Sequence, residues 1–301
     1  MKVATHKEDI DGIVSAALFL IKYPDAKIEF LSVKEAMETE DFFDYVVDLP
    51  KTKNCRINID HHETNYHRLV SEGLLSENDV VDPSSPSAAR LVAETLGLMN
   101  NKIAEELVRM ADLADKGKMD NKLRLLDYVI KLNLNNKEVL EKIARVLARY
   151  GSNFDKDIWL SKELEKAQKL ANEILGKVTR DIEKLIKRGI EYAVLDCRDI
   201  PFFVVKEVAQ YFLFKGGKAV GVIYTDPDTG KDRLSLRIST KSELKANEIA
   251  EKIGGGGHLK AAGAIFEREE LHRVIGLLMQ AFSKENKTVV FYTLKIGNRR
   301  V

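Results

Sequence analysis

The sequence predicts an α/β protein with a parallel-sheet domain, a helical connector and a smaller mixed α/β domain. Three observations predict it. Short apolar strands alternate with helical patterns over residues 1–120, as in βαβ units. Residues 121–190 read as helix with little chemistry, and strand patterns return over 191–301. A chain of 301 residues that is 45% hydrophobic suffices for two ordinary cores.

The first strand runs from Lys2 to Thr5, and "HKEDIDG" separates it from the apolar helix "IVSAALFLI". Strands "KIEFLSV", "DYVVDLP" and "CRINID" follow, each with few polar residues in its middle. The stretch "PSSPSAARLVAETLGL" is a turn, a helix and a glycine stop, with Ser84, Ser85 or Ser87 as the cap. A helix from Asn101 to Asp115 then ends in "ADLADKG". In the helical stretch, Leu160, Leu164, Ala167, Ala171, Ile174, Val178, Ile182 and Leu185 step by three and four into one narrow apolar stripe. The stripe fits a stiff connector between domains better than a coiled-coil seam, the form a homo-oligomer would use. In the last domain the strands are "YAVLDC", "AVGVIYTD", "RLSLRIS" and "AGAIFE".

Composition excludes several function classes. Lys and Arg number 48 against 47 Asp and Glu, a net charge of +1, so this is not a globally basic duplex binder. Cys55 and Cys197 form no CxxC pair, which argues against structural zinc and a disulfide scaffold and fits a reducing compartment. The opening "MKVATH" lacks a signal peptide's apolar run, and no stretch approaches the roughly 18 apolar residues of a membrane span. The expectation is a soluble, cytoplasmic protein.

Ionisable side chains gather where strands and helices end. His6, Asp9 and Asp11 follow the first strand, Asp48 closes "YVVD", and Asp60, His61 and His62 close "INID". Asp112 and Asp115 end the helix before "KG". In an open parallel sheet the carboxyl ends of the strands lie along one edge, where ligands bind. Taken singly, Asp11 is a helix cap, Asp48 a turn former and the His pair a surface feature. Their joint occurrence points to a site. Imidazoles and carboxylates without thiolates suit Mn, Fe, Co or Zn. Asp9, Asp11, Asp48 and Asp115 would bring four negative charges, which two divalent cations cancel. Two such ions, roughly 3.5 to 4 Å apart, favour attack of a water-derived nucleophile on a phosphate. Without cations, four converging carboxylates repel one another and their pKa values rise.

The ordered set "HKEDIDG", "VVD", "IDHHET" and "ADKG" resembles motifs I to IV of the DHH phosphoesterase superfamily. "GGGGHLKAAG" resembles the signature of its DHHA1 domain, so the likeness spans nearly the whole chain. The superfamily includes RecJ-like exonucleases, nanoRNases, pAp phosphatases and cyclic-dinucleotide phosphodiesterases. The resemblance implies a DHH core over 1–120, a helical extension over 121–190 and a DHHA1 domain over 191–301. It implies that His6 and Asp9 hold one metal, Asp11 the other, and that Asp48 bridges them. His61 would be a further ligand, His62 would face the phosphate and Asp60 would support the pair. Asp115 matches the family's Asp-x-Gly, with Asp112 one turn earlier as the alternative. The implied cofactors are two divalent ions, manganese first, with magnesium or cobalt as substitutes.

The second domain reads as a phosphate grip. In "KDRLSLRISTK", Lys231, Arg233, Ser235, Arg237, Ser239 and Lys241 alternate with Leu234, Leu236 and Ile238, which makes one strand face apolar and the other cationic and free of acids. Arg237, with Arg233 and Ser239, is the expected phosphate contact. Glycines 254 to 257 read either as a flexible loop or as an anion-binding nest; Gly255, Gly256, Gly257 and His258 would line the substrate. The tail "GNRRV" would extend the track for a longer strand. The expected function is a metal-dependent exonuclease on single-stranded DNA, RNA or short oligonucleotides. The alternatives are a pAp phosphatase or cyclic-dinucleotide phosphodiesterase and, as a different class, a non-catalytic accessory subunit of a replication or repair complex. A repair or replication protein is an expected additional partner.

Overall fold

A computed structural model describes residues 1–227, 229–285 and 288–296. The tail "GNRRV" lies outside the described residues. The chain divides into two compact units, residues 1–168 and 169–301.

The first unit contains β1 (Lys2–His6), α1 (Ile10–Lys22), β2 (Lys27–Leu31), α2 (Val33–Glu38), β3 (Phe43–Val47), β4 (Cys55–Asp60), α3 (Glu63–Ser71), β5 (Val80–Val81), α4 (Ala88–Thr95), α5 (Lys102–Asp115), α6 (Asn121–Leu132) and α7 (Lys137–Tyr150). Its five strands form one parallel sheet in the order β2-β1-β3-β4-β5. α1 is buried from Ile10 to Leu20 because α4, α5 and α7 cover it, which is why its sequence is apolar all round. On the sheet's other face Ala4, Leu31 and Val46 pack with Ala36 of α2 and with Phe43 and Leu49.

This order sets the site's place. From β1 the chain turns one way to β2, and β3 then lies on the opposite side of β1. The crossovers leave β1 in opposite directions, which opens a crevice at the carboxyl ends of β1 and β3. His6 ends β1, Asp48 follows β3 and Asp60 ends β4.

Helix α8 (Ile158–Lys187) runs across the division between units as one element of 30 residues. Its stripe from Leu160 to Leu185 is buried throughout. The second unit adds β6 (Tyr192–Asp196), α9 (Val205–Phe214), β7 (Ala219–Thr225), β8 (Asp232–Ile238), α10 (Ala246–Glu251), β9 (Gly256–His258), β10 (Ala261–Phe266), α11 (Leu271–Phe282) and β11 (Val289–Thr293). The sheet order is β11-β6-β7-β8-β10-β9, parallel from β11 to β7 and antiparallel beyond. Leu234, Leu236 and Ile238 of β8 point into a core shared with α10 and α11, so the predicted alternation is present. Three strands, β5, β9 and β11, are absent from the sequence reading, and of these only β11 carries an apolar run that could have marked it. β5 is too short to show a period, and β9 is built largely of glycine, which carries no side-chain pattern. Among the described residues no helix is long and apolar enough to cross a membrane.

Candidate metal centre

The turn from β1 to α1 brings the first three donors together. Asp9 caps α1 by accepting a bond from the Gly12 amide at 3.1 Å, and its other oxygen lies 2.9 Å from His6 Nδ1. The turn is tight: a Cβ at Gly12 would lie 2.0 Å from the His6 carbonyl oxygen, so only glycine fits. Asp11, one residue into the helix, is buried and accepts from the Ala88 and Ala89 amides at 2.7 and 2.8 Å. It thereby holds the N-terminus of α4 in the crevice. Ser87 is the cap of α4, the last of the three serines that the sequence offered.

Asp48 stands where three overlapping donor sets meet. They are His6, Asp9 and Asp48; Asp48, His61 and His62; and Asp11, His61 and Asp115, and the donor atoms of each set lie within 4.8 Å of one another. Asp48 Oδ2 is 3.6 Å from His6 Nδ1, and Asp48 Oδ1 is 3.8 Å from His61 Nε2. Neither oxygen accepts a hydrogen bond although the residue is 2% exposed. Its backbone is left-handed, with φ of 55°. A buried carboxylate without donors in a strained conformation fits a residue that holds cations. His61 Nε2 is 3.6 Å from Asp11 and 3.5 Å from Asp115, and His61 Nδ1 lies 3.3 Å from the Ser85 carbonyl oxygen.

Asp60 has the opposite character. It is fully buried, and it accepts from the His61 and His62 amides, from His62 Nδ1 at 2.8 Å and from Asn65 Nδ2 at 2.7 Å. Its oxygens are saturated, so it orients the His62 imidazole and holds the backbone of both histidines. With His62 Nδ1 held in this way, His62 Nε2 is the remaining ring nitrogen of a half-exposed side chain. Asp112, the alternative to Asp115, is taken up by Ser87 Oγ at 2.7 Å and by the Arg90 guanidinium. Sequence reading missed Asn65, Ser85 and the Ala88–Ala89 amides; backbone donors and an amide inside an ordinary helix leave no motif.

The electrostatics follow from crowding. Burial and then the charge of Asp9 push Asp11 up to about 7. Burial and then the charge of Asp11 push Asp115 up to about 9. Burial, with Asp11 and Asp9, also raises Asp48. Burial opposes charge on His6, but Asp9 and Asp48 outweigh it and raise its pKa. Burial, with His62 nearby, lowers His61 and keeps it a neutral donor, whereas the bond to Asp60 raises His62. Asp9 departs from the expected rise: burial would push it up, but the His6 imidazole beside it holds its carboxyl well below the usual range. Protons held by Asp11, Asp48 and Asp115 in the absence of cations fit a site for divalent ions.

In the second unit the cationic face of β8 is only partly free. Arg233 is bonded to Asp226 at 3.0 Å, and Lys231 pairs with Glu267 at 2.5 Å. The face contains no acid in sequence, yet neighbouring segments supply two. Arg237 has no carboxylate partner among the described residues; its Nη1 donates to the Leu236 carbonyl at 3.1 Å, and burial lowers its pKa. Ser239 Oγ accepts from the Lys241 amide at 3.2 Å. Arg237 pairs with Ala261 in register, and Ala261 with His258, which places Arg237 and His258 on one face two strands apart. The glycines lie in and before edge strand β9: a Cβ at Gly255 would meet the Gly263 oxygen at 2.0 Å, and one at Gly257 the Ala262 Cα at 2.6 Å. Close packing on β10 requires glycine at both positions, beside any contact with an anion.

Residues 189–284 match the family model of the DHHA1 domain. No curated protein matches the chain at the sequence level. Among solved structures, the pGpG-specific phosphodiesterase PggH of Vibrio cholerae is similar in fold, with 18% identity and a TM-score of 0.57 over 94% of this chain and 99% of that one. RecJ of Thermus thermophilus in complex with Mn2+ has 16% identity and a TM-score of 0.58, over 98% of this chain and 53% of that one. An exonuclease RecJ bound to manganese has 15% identity and a TM-score of 0.52, over 94% of this chain and 90% of that one.

Proposed function

We propose that the chain is a DHH/DHHA1 phosphoesterase, a metal-dependent phosphodiesterase acting from one end on single-stranded DNA or RNA, or on short oligonucleotides; the DHHA1 match over residues 189–284 and the similar folds of PggH and RecJ support this reading. The observation that supports this most is Asp48, whose two buried, donor-free oxygens stand where three overlapping sets of imidazole and carboxylate donors meet. His6, Asp9 and Asp48 would hold one divalent ion; Asp11, His61 and Asp115, with Asp48 shared, would hold the second. Manganese is the proposed ion, which agrees with the manganese-bound RecJ structures of similar fold. When bound, such ions supply a nucleophile derived from water at neutral pH and neutralise charge on the phosphate.

The chain's own residues do the rest. Asp60 fixes the His62 ring through Nδ1, so that Nε2 can donate to a phosphate oxygen when the imidazole is protonated. Asn65 holds Asp60 in place. Arg237, a half-buried guanidinium without a carboxylate partner among the described residues, is the proposed phosphate grip of the DHHA1 domain, with His258 and Ser239 on the same part of the sheet. The near-complete coverage of a pGpG-specific phosphodiesterase supports the short-oligonucleotide form of this reading.

The test is a substrate panel with manganese: a single-stranded DNA of about 20 nucleotides, RNA of equal length, a linear dinucleotide, pAp and a cyclic dinucleotide, with Asp60→Ala/His61→Ala as control. Stepwise ladders establish an exonuclease, and cleavage of the dinucleotide alone establishes an oligonucleotidase. Turnover confined to pAp or the cyclic substrate would replace the proposed substrate. No turnover with manganese bound would replace the enzyme by an accessory subunit.

A further inference from the structure

Beside the donor sets the first unit has a cavity of about 350 Å³. His6, Asp48 and His62 lie along its floor, and Val33, Met37, Pro50, Thr64 and Arg68 form its walls. Val33 and Met37 stand at i and i+4 on α2 and share one face. That face is turned from the core: Val33 is 48% and Met37 44% exposed, and of α2 only Ala36 is buried. The helix is nevertheless held in place. Ser32 and Glu35 form a reciprocal cap, and the buried Lys7 reaches Glu35 at 2.9 Å. Two large apolar side chains are thus fixed at the rim of a charged site.

We infer that this cavity is a base subsite, which takes the planar ring of the nucleotide whose phosphate lies over the donor sets. The inference rests on the phosphodiesterase reading and deepens it. The volume falls at the small end of ligand pockets, enough for one nucleoside and not for a run of bases. Val33 and Pro50 offer flat apolar contact, and the Met37 thioether is a favourable neighbour for an aromatic ring. Arg68 is a fixed wall: its Nη2 donates to the Lys51 carbonyl at 3.0 Å and to Asn65 at 3.3 Å. Thr64, at the exposed rim, adds one hydroxyl. With so few directed polar groups, the subsite senses that a base is present and is indifferent to which base.

The test is calorimetric titration, with manganese present, of 5′-AMP and 3′-AMP against ribose 5-phosphate, which lacks the base. The tighter of the two nucleotides should exceed ribose 5-phosphate by about ten-fold or more. Val33→Ser/Met37→Ser, at exposed positions, should lower nucleotide affinity to that of ribose 5-phosphate and leave the latter unchanged. Met37→Leu should keep the preference. Equal binding of all three ligands by the native protein, no binding of any, or a preference that survives in the double variant would overturn the subsite. The readout needs no turnover. A protein that binds AMP through Val33 and Met37 but hydrolyses no substrate would sink the phosphodiesterase reading alone. One that cleaves a dinucleotide with unchanged KM in the double variant would sink the subsite alone.

Discussion

Asp48 combines left-handed backbone, burial and two oxygens without donors. Each feature costs on the order of 1–3 kcal/mol in the metal-free protein. Asp48→Asn keeps the shape, tolerates the backbone and removes the charge. It should raise the metal-free unfolding midpoint by about 2–4 °C and abolish the rise that manganese causes in the native protein. Scanning calorimetry with and without manganese checks both; an undiminished manganese-induced rise would mean that Asp48 is no ligand. The raised carboxyls carry a pH dependence of definite sign. Asp11, pushed up to about 7, and Asp115, pushed up to about 9, hold protons in the metal-free fold that unfolded carboxyls release near pH 4. The stability they contribute is fully present below that range and is lost as pH rises through about 7 and 9. Manganese affinity should run the other way and increase with pH, because each proposed ligand must first lose its proton. Titrations at neutral pH in buffers of different ionisation heat should record proton release; affinity that stays constant between about pH 6 and 8 would contradict this. The two β8 arginines should also differ. Arg237→Ala should lower kcat/KM by about 100-fold, whereas Arg233→Ala, whose charge is spent on Asp226, should change it by about three-fold or less.

At the scale of elements, two of the close approaches that glycines make decide how elements meet. Gly12 lets α1 start against the His6 carbonyl, and Gly257, with φ of 140°, lets β9 lie on β10. Gly12→Ala and Gly257→Ala should each cost about 2 kcal/mol or more, read from urea unfolding midpoints, the first through collision and the second through strain as well. An unchanged midpoint for Gly257→Ala would show that β9 can shift without loss. The stripe of α8 was legible because a 3.6-residue period repeats over many turns. β9 was not, because glycine carries neither period nor propensity for a strand. The β8 alternation was legible, but its partners were not: Asp226 and Glu267 lie outside the strand and reach Arg233 and Lys231 only after folding.

At the scale of the molecule, the donors come from separate stretches between His6 and Asp115, all within the first unit. Manganese should therefore increase amide protection at the β1–α1 turn, after β3 and β4, and at the ends of α4 and α5, measured by hydrogen exchange. Uniform protection along the chain, or none, would speak against a local two-ion site.

The sequence by itself determined the α/β class and the placing of ionisable groups where strands end, since alternation and helical period are local properties. It also carried the apolar character of α1, although the cover of α4, α5 and α7 that buries it is tertiary. Only the tertiary structure decided that Asp115 joins His61 while Asp112 is spent on Ser87 and Arg90. It alone decided that Asp60 is saturated while Asp48 is left without donors. These distinctions depend on which oxygen meets which donor across tens of residues, a matter of packing that periodicity does not encode.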